Sequence, residues 1–173
     1  MKKDYPVYNT YHLCMEMLET ANLIEHFDKN NLQLSLPAQS FKGIFITGEG
    51  SSRLIPGKLI IEKNLQHGAH IPIYTDGATQ ALEYDLSNML VIGLSNSGRT
   101  KELIRLFDHL KRQGTSYLIG ITANENSLLE ERADYCYILK CGKEKAVAAT
   151  KSVVEQTLVM EAIYEKFTGI QMV

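Results

Sequence analysis

The segment LVIGLSNSGRTKELI, Leu90–Ile104, joins an apolar run to a helical pattern through an unusually polar turn. Its first five residues are apolar, which is typical of a strand buried on both faces. Three hydroxyls, an amide and a glycine then follow: Ser95, Asn96, Ser97, Gly98 and Thr100. Capping a helix requires only one hydroxyl. The concentration of hydrogen-bond donors therefore favours an anion-binding turn over a simple strand-to-helix connection.

A second polar turn, TGEGSS at residues 47–52, also leads from an apolar run into a helical pattern. Its candidate binding residues are Gly50, Ser51 and Ser52, where backbone N–H groups at a helix start could meet an anion. Helix capping explains this turn equally well. Position 53 is Arg rather than a third glycine, so the turn is not a dinucleotide-binding fingerprint.

Apolar runs and helical patterns alternate along the rest of the chain. The strand candidates are residues 43–47, 70–75, 89–94, 116–122 and 135–139. Helical patterns cover residues 51–67, 99–114, 126–133 and 148–169, with Pro56 and Gly57 weakening the first of them. The alternation predicts an α/β protein, a three-layer sandwich around a five-stranded parallel sheet. By analogy with the flavodoxin-like arrangement, we expect the strand order 2-1-3-4-5.

The first 40 residues are expected to form a helix and a connection that pack on the remaining domain, residues 41–173. Leu13, Met17, Ala21 and Ile24 recur at spacings of three and four, which predicts one amphipathic helix over residues 9–28. The connection that follows is polar and is interrupted by Pro37.

Composition excludes several classes of protein. The 173 residues carry a net charge of −2, which gives no electrostatic reason to expect nucleic acid as a partner. No apolar stretch approaches the length that spans a bilayer, and the segment MKKDYPVYNT lacks the apolar core of a secretion signal. The three cysteines are scattered and no metal-ligand spacing occurs, so we expect reduced thiols, a cytoplasmic location and no metal.

Three motifs in register resemble the SIS (sugar isomerase) domain: GEGSS at residues 48–52, SNSGRT at residues 95–100 and VAATKS at residues 147–152. The resemblance extends from about residue 41 to residue 167. It is strongest to the first SIS repeat in the isomerase half of glucosamine-6-phosphate synthase and to related phosphosugar isomerases and deglycases.

The resemblance implies a phosphosugar site without a cofactor. It implies that the loop after the third strand grips the phosphate through Ser95, Asn96, Ser97 and Thr100. It further implies that Ser52 contacts the sugar and that the backbone of Val147 and Ala148 lines the pocket. The sequence departs from the family at Ala149, where relatives often have a serine, and at Arg99, where they have Glu. The first departure removes a hydroxyl contact, and the second adds a cation or a solvated side chain.

The sequence offers fewer candidate catalytic residues than binding residues, because the resemblance covers only one repeat. Isomerisation needs a base close to the C1 and C2 carbons of the sugar. Glu155 has apolar neighbours in the last helical pattern, although a solvent-facing position or an ion pair with Lys151 would explain it too. Glu62, on the helix after the first strand, is a second candidate base, because the resemblance implies that some members of the family place their base there. His67 could reach the site of a neighbouring subunit and assist ring opening, or lie on the surface.

The sequence thus favours a phosphosugar-binding SIS protein, an aldose–ketose isomerase or deglycase acting on a ketose or amino-sugar 6-phosphate through an enediol. The alternative is a non-catalytic sugar-phosphate sensor or subunit. Because one repeat provides only half of a two-repeat site, we expect a homodimer or homotetramer with sites near subunit interfaces.

Overall fold

A computed structural model describes residue 8 and residues 10–38 and 40–171. Five parallel strands form one sheet: β1 Gly43–Gly48, β2 Ile73–Asp76, β3 Met89–Leu94, β4 Tyr117–Thr122 and β5 Tyr135–Ile138. Their order is β2-β1-β3-β4-β5, which confirms the predicted fold class and the predicted order. The N-terminal segment examined for a secretion signal lies largely outside the described residues.

Among the described residues, six α-helices accompany the sheet: α1 His12–Glu25, α2 Ser51–Gln66, α3 Ala78–Ala81, α4 Lys101–Gln113, α5 Leu128–Arg132 and α6 Lys151–Thr168. A short 3-10 helix, Lys29–Asn31, follows α1. The predicted helix ends are confirmed at Gly114, which is left-handed with φ 65°, and at Gly169, with φ 72°. Ser127 caps α5 by accepting a hydrogen bond from the Glu130 N–H. The link between β2 and β3, which lacks a clear helical pattern, contains only the single-turn α3.

Helices cover both faces of the sheet, and this explains why the strands are apolar at nearly every position. Ile44 and Ile46 of β1 pack in one core cluster with side chains of α2 and α6. Phe45, between them, belongs to the opposite cluster with side chains of α3, α4 and α5. The layers are therefore α2 and α6, the sheet, and α3, α4 and α5.

The N-terminal helix α1 packs on α6, outside the layer nearest the sheet. Its apolar stripe is exposed: Leu13, Met17 and Ile24 keep 41%, 49% and 54% of their accessible surface. The buried residue of α1 is instead Glu16, at 5% exposure. The stripe thus lines an open groove between α1, α2 and α6 rather than the core.

Helix α2 continues through Pro56, which the sequence pattern treats as a weakness. Pro56 is the sixth residue of the helix and is buried. Because proline has no backbone N–H, the Ser52 carbonyl lacks its usual helical hydrogen bond. The energetic cost of this lost bond therefore falls close to the start of the helix.

Within the described part of the chain, no helix has both the length and the apolar composition needed to cross a membrane.

Candidate functional site

The two serine-containing turns lie side by side at the carboxyl edge of the sheet. β1 and β3 are neighbours, with Thr47 paired to Gly93 and Gly48 paired to Leu94. The chain leaves β1 for β2 on one side, and β3 lies on the other, so this is where the strand order reverses. In open parallel sheets, ligands bind in the crevice at such a switch point.

The hydroxyls of the turn after β3 converge. Ser95 Oγ lies 2.8 Å from Thr100 Oγ1 and 3.4 Å from Ser97 Oγ. Thr100 is the N-cap of α4, but its side chain makes no capping hydrogen bond. The cap residue therefore does not satisfy the backbone N–H groups in the first turn of α4. These donors lie beside three hydroxyls and the positive end of the helix dipole. This geometry suits an oxyanion.

Gly98 shapes this turn. Its φ is 62°, and its N–H donates to Ser95 Oγ at 3.1 Å. A Cβ at this position would lie 2.7 Å from Thr122 Oγ1 and would also collide with Ser127. Both the conformation and the close approach therefore require glycine.

The turn after β1 provides a second helix start without a side-chain cap. Gly50 is the N-cap of α2, with φ 61° and ψ −142°, a conformation available essentially only to glycine. Ser51 is exposed, and Ser52 is 9% exposed. The structure thus places two helix N-termini with unsatisfied amides at neighbouring positions on the edge.

A third helix N-terminus, that of α6, is satisfied by Glu144. One carboxylate oxygen accepts the Thr150 N–H at 2.8 Å and the Ser152 N–H at 3.1 Å. The other accepts the Asn96 side-chain amide at 3.0 Å. Burial alone would raise the pKa of Glu144, but hydrogen bonds from Ser152 and Thr150 outweigh it, so the pKa lies below its ordinary value.

Glu16 of α1 holds the same segment from the opposite side. Its carboxylate accepts the N–H of Lys145 at 2.6 Å and the N–H of Ala146 at 3.3 Å. Burial works to raise the pKa of Glu16, yet these two hydrogen bonds and one from Thr150 hold it below its ordinary value. The sequence analysis missed both Glu16 and Glu144. An acidic residue shortly before a helix start is a signal that could have identified Glu144.

Val147 and Ala148, expected to line the pocket, lie in the segment between Glu144 and α6. Both are exposed, and Val147 projects fully into solvent. Their segment is joined to the turn after β3 through the contact of Asn96 with Glu144. The predicted substrate-binding residues follow β1, follow β3 or precede α6, so all of them lie at the carboxyl edge.

Glu155 is buried, at 2% exposure, but its carboxylate is already bound to backbone N–H groups. It accepts the N–H of Lys140 at 2.8 Å and that of Cys141 at 2.7 Å. The ion pair considered for it is not formed, because Lys151 Nζ pairs with Glu19 at 2.6 Å. Glu155 thus pins the segment after β5 to α6.

The other two catalytic candidates lie away from the turns within one chain. Glu62 is exposed on α2, accepts a hydrogen bond from Gln66 and lines the groove between α1, α2 and α6. It is ten residues beyond Ser52, about 15 Å along the helix axis. His67 follows the last turn of α2, about 22 Å from Ser52 by the same measure, and is exposed.

The thiols of Cys136 and Cys141 are not activated, and the described residues hold no group of metal-ligating side chains. Burial raises the pKa of the Cys141 thiol to about 12, with a contribution from the nearby Glu155 carboxylate. Burial likewise raises the pKa of Cys136 to about 12. Both thiols are therefore protonated at neutral pH and are poor nucleophiles. Among the described residues, no three His, Cys, Asp or Glu side chains are grouped as metal ligands.

The fold is an α/β sandwich in which two polar turns lie side by side at the switch point of a parallel sheet. The SIS domain family model matches residues 39–166. The chain belongs to the SIS domain family.

Individual relatives agree with this assignment. The chain is 29% identical over 172 residues to the glutamine–fructose-6-phosphate aminotransferase (isomerizing) of Chlamydia pneumoniae, covering 92% of this chain and 28% of that protein. It thus spans less than a third of that curated relative. The C-terminal domain of glucosamine-fructose-6-phosphate aminotransferase from Francisella tularensis superposes with a TM-score of 0.73 at 19% identity, covering 98% of this chain and 50% of that one.

A solved structure of similar length has the same fold. The protein c3406 of E. coli CFT073, determined as a complex, superposes with a TM-score of 0.69 at 21% identity. The match covers 98% of this chain and 93% of that chain.

We predict that Gly98→Ala destabilises the protein more than Gly114→Ala does. Both glycines have positive φ, 62° and 65°, but a Cβ at Gly114 meets nothing within 4 Å. Gly114→Ala should therefore lose only the backbone preference, about 1 kcal/mol, whereas Gly98→Ala adds a collision. Urea unfolding measures the difference, and equal losses of unfolding free energy would contradict the close packing described for this turn.

Proposed function

We propose that the chain binds a sugar phosphate at the carboxyl edge, with the phosphate against Ser95, Ser97, Thr100 and the first amides of α4. The convergence of three hydroxyls at a helix start whose cap residue leaves its amides unsatisfied is the observation that carries this proposal. Relatives named for fructose 6-phosphate support the choice of ligand class. Ser52 and the Val147–Ala148 backbone would meet the sugar.

Ser97→Ala tests the proposal. Ser97 is exposed and contributes one of the three converging hydroxyls, so its loss should not disturb the core. A hydrogen bond to a charged group is worth roughly 1.5–3 kcal/mol, so fructose 6-phosphate should bind at least about tenfold more weakly. Calorimetric titration measures the affinity.

Ser35→Ala is the matched control, since Ser35 is also exposed and lies in the connection before β1, outside both polar turns. It should bind fructose 6-phosphate as the wild type does. A wild-type protein that binds fructose no less tightly than fructose 6-phosphate would show that the phosphate is not recognised.

The reaction that suits such a site is proton transfer between C1 and C2 of a ketose or amino-sugar 6-phosphate, through an enediol. An isomerase or deglycase of this kind needs a base near the sugar. Glu62 keeps an exposed carboxylate on the groove, whereas both oxygens of Glu155 are engaged by backbone amides. We therefore place Glu62, with His67 assisting ring opening, in a site completed by a neighbouring subunit.

Solvent exchange tests the enzyme proposal. The wild type should introduce deuterium at C1 of fructose 6-phosphate in deuterated water, as followed by NMR, and Glu62→Gln should abolish this exchange while leaving stability unchanged. Glu155→Gln, which places an amide where two N–H donors converge, should lower stability and keep exchange. Exchange lost only in Glu155→Gln, at unchanged stability, would reverse these two roles.

A non-catalytic sensor or subunit is the second candidate function. One observation favours it: within one chain, no hydrogen bond joins any of the three catalytic candidates to the converging hydroxyls. Tight binding of fructose 6-phosphate without any exchange would establish this alternative. The cytoplasmic location expected from the sequence stays a prediction.

Association would bring the missing groups to the site. The groove between α1, α2 and α6 has a volume of about 850 Å³ and carries the exposed Leu13, Met17, Ile24 and Ile55. Contiguous exposed apolar surface of this kind marks interaction sites. Because Glu62 lines the same groove, a second copy seated there would receive that carboxylate at the interface. We infer a homodimer or a homotetramer built on this groove.

Met17→Asp should convert the assembly into monomers, because it places a charge among apolar side chains that a partner must cover. Sedimentation velocity measures the effect. Leu65→Asp is the control: Leu65 is 74% exposed on α2 and does not line the groove. A wild type that sediments as a monomer at micromolar concentration would refute the proposed association.

A further inference from the structure

The Glu144 carboxylate is fully engaged as a hydrogen-bond acceptor. Besides the amides of Thr150 and Ser152 and the Asn96 side chain, it accepts the Thr150 hydroxyl at 2.9 Å and the Ser152 hydroxyl at 2.5 Å. A carboxylate offers about four lone-pair positions. With five donors around it, the group has no capacity left for a substrate proton, so its role is to hold other groups in place.

Those donors come from separate parts of the edge. Asn96 belongs to the turn that carries the converging hydroxyls, whereas Thr150 and Ser152 begin α6. Among the hydrogen bonds of the described residues, that of Asn96 with Glu144 is the one that joins the turn after β3 to the segment before α6. The Asn96 backbone is fixed independently, since its carbonyl accepts the Ala123 N–H at 3.1 Å.

The segment between Glu144 and α6 is anchored at its two ends and exposed in its middle. Glu16 holds the amides of Lys145 and Ala146, and Glu144 holds Thr150. Between these anchors, Val147 and Ala148 reach into solvent. The contact of Glu144 with Asn96 therefore links their segment to the turn that carries the converging hydroxyls.

We propose that Glu144 is a positioning residue that makes the site select sugar phosphates over inorganic phosphate. This inference rests on the proposed function. Inorganic phosphate needs only the hydroxyls and amides of the turn after β3, whereas a sugar phosphate must also reach the Val147–Ala148 backbone. Releasing Glu144 from Asn96 lets the second surface move while the first stays held by β4.

The test compares two dissociation constants, for fructose 6-phosphate and for inorganic phosphate, by calorimetric titration of the full chain. In Glu144→Ala, the preference for fructose 6-phosphate should fall about fivefold, as expected for the loss of roughly one net hydrogen bond. The affinity for inorganic phosphate should stay within about twofold of the wild type, since the hydroxyls and amides of the turn after β3 are unaltered.

Glu144→Asp guards against a variant that fails to fold. It keeps a negative charge at the start of α6 but is one methylene shorter, so its contact with Asn96 should be lengthened rather than removed. A smaller fall in preference is expected. Glu130→Ala is the matched control: this carboxylate holds the Asn126 N–H at 2.5 Å in the loop after β4 and has no hydrogen bond to Asn96. It should keep the wild-type preference.

An unchanged preference in the folded Glu144 variants would overturn the inference and leave the proposed function intact. Equal weakening of both ligands would also overturn it, because a purely structural role predicts that result. A wild type that binds neither ligand would instead refute the proposed function, and this inference with it.

Discussion

Helices α2, α4 and α6 begin at the carboxyl edge of the parallel sheet, and the candidate site depends on how their first amides are met. A helix start carries a partial positive charge and N–H groups that need acceptors. At α6, the chain supplies its own anion, Glu144. At α2 and α4, neither Gly50 nor Thr100 provides a side-chain cap. The switch point between β1 and β3 therefore combines helix-dipole charge with free donors, and the proposed anionic ligand rests on this combination.

The converging hydroxyls do not cap α4, because their hydrogen bonds run within the turn after β3. Ser95 and Thr100 are hydrogen bonded to each other, and Ser95 also accepts the Gly98 N–H. Ser97 accepts the Arg99 N–H at 3.2 Å. These contacts hold the turn in shape without covering the first amides of α4. The turn is thus ordered before any ligand binds, so little conformational entropy would be lost on binding.

The fold could be predicted from the sequence because each strand and most helices carry a local signal. The strand runs are apolar at almost every position, and Gly114 and Gly169 end their helices in left-handed conformations. The Ser95–Thr100 turn also carries a local sequence signal, and its place at the carboxyl edge follows from its position directly after a strand. The exposed face of α1 was not predictable, because helical periodicity reports that a helix is amphipathic and not what covers its apolar side.

The remaining features of the site are contacts between residues far apart in the chain. Glu16 meets Lys145 across 129 positions, and Asn96 meets Glu144 across 48. Nothing in the local pattern distinguishes such a carboxylate from a solvated one, since burial and partners arise only from packing. Glu155 illustrates the converse. Its apolar neighbours correctly indicated burial, but burial alone did not separate a reactive carboxylate from one that holds backbone amides. For a carboxylate in a helix, the decisive quantity is the number of donors it already accepts, and by that measure Glu62, exposed on the groove, retains more freedom than either Glu144 or Glu155.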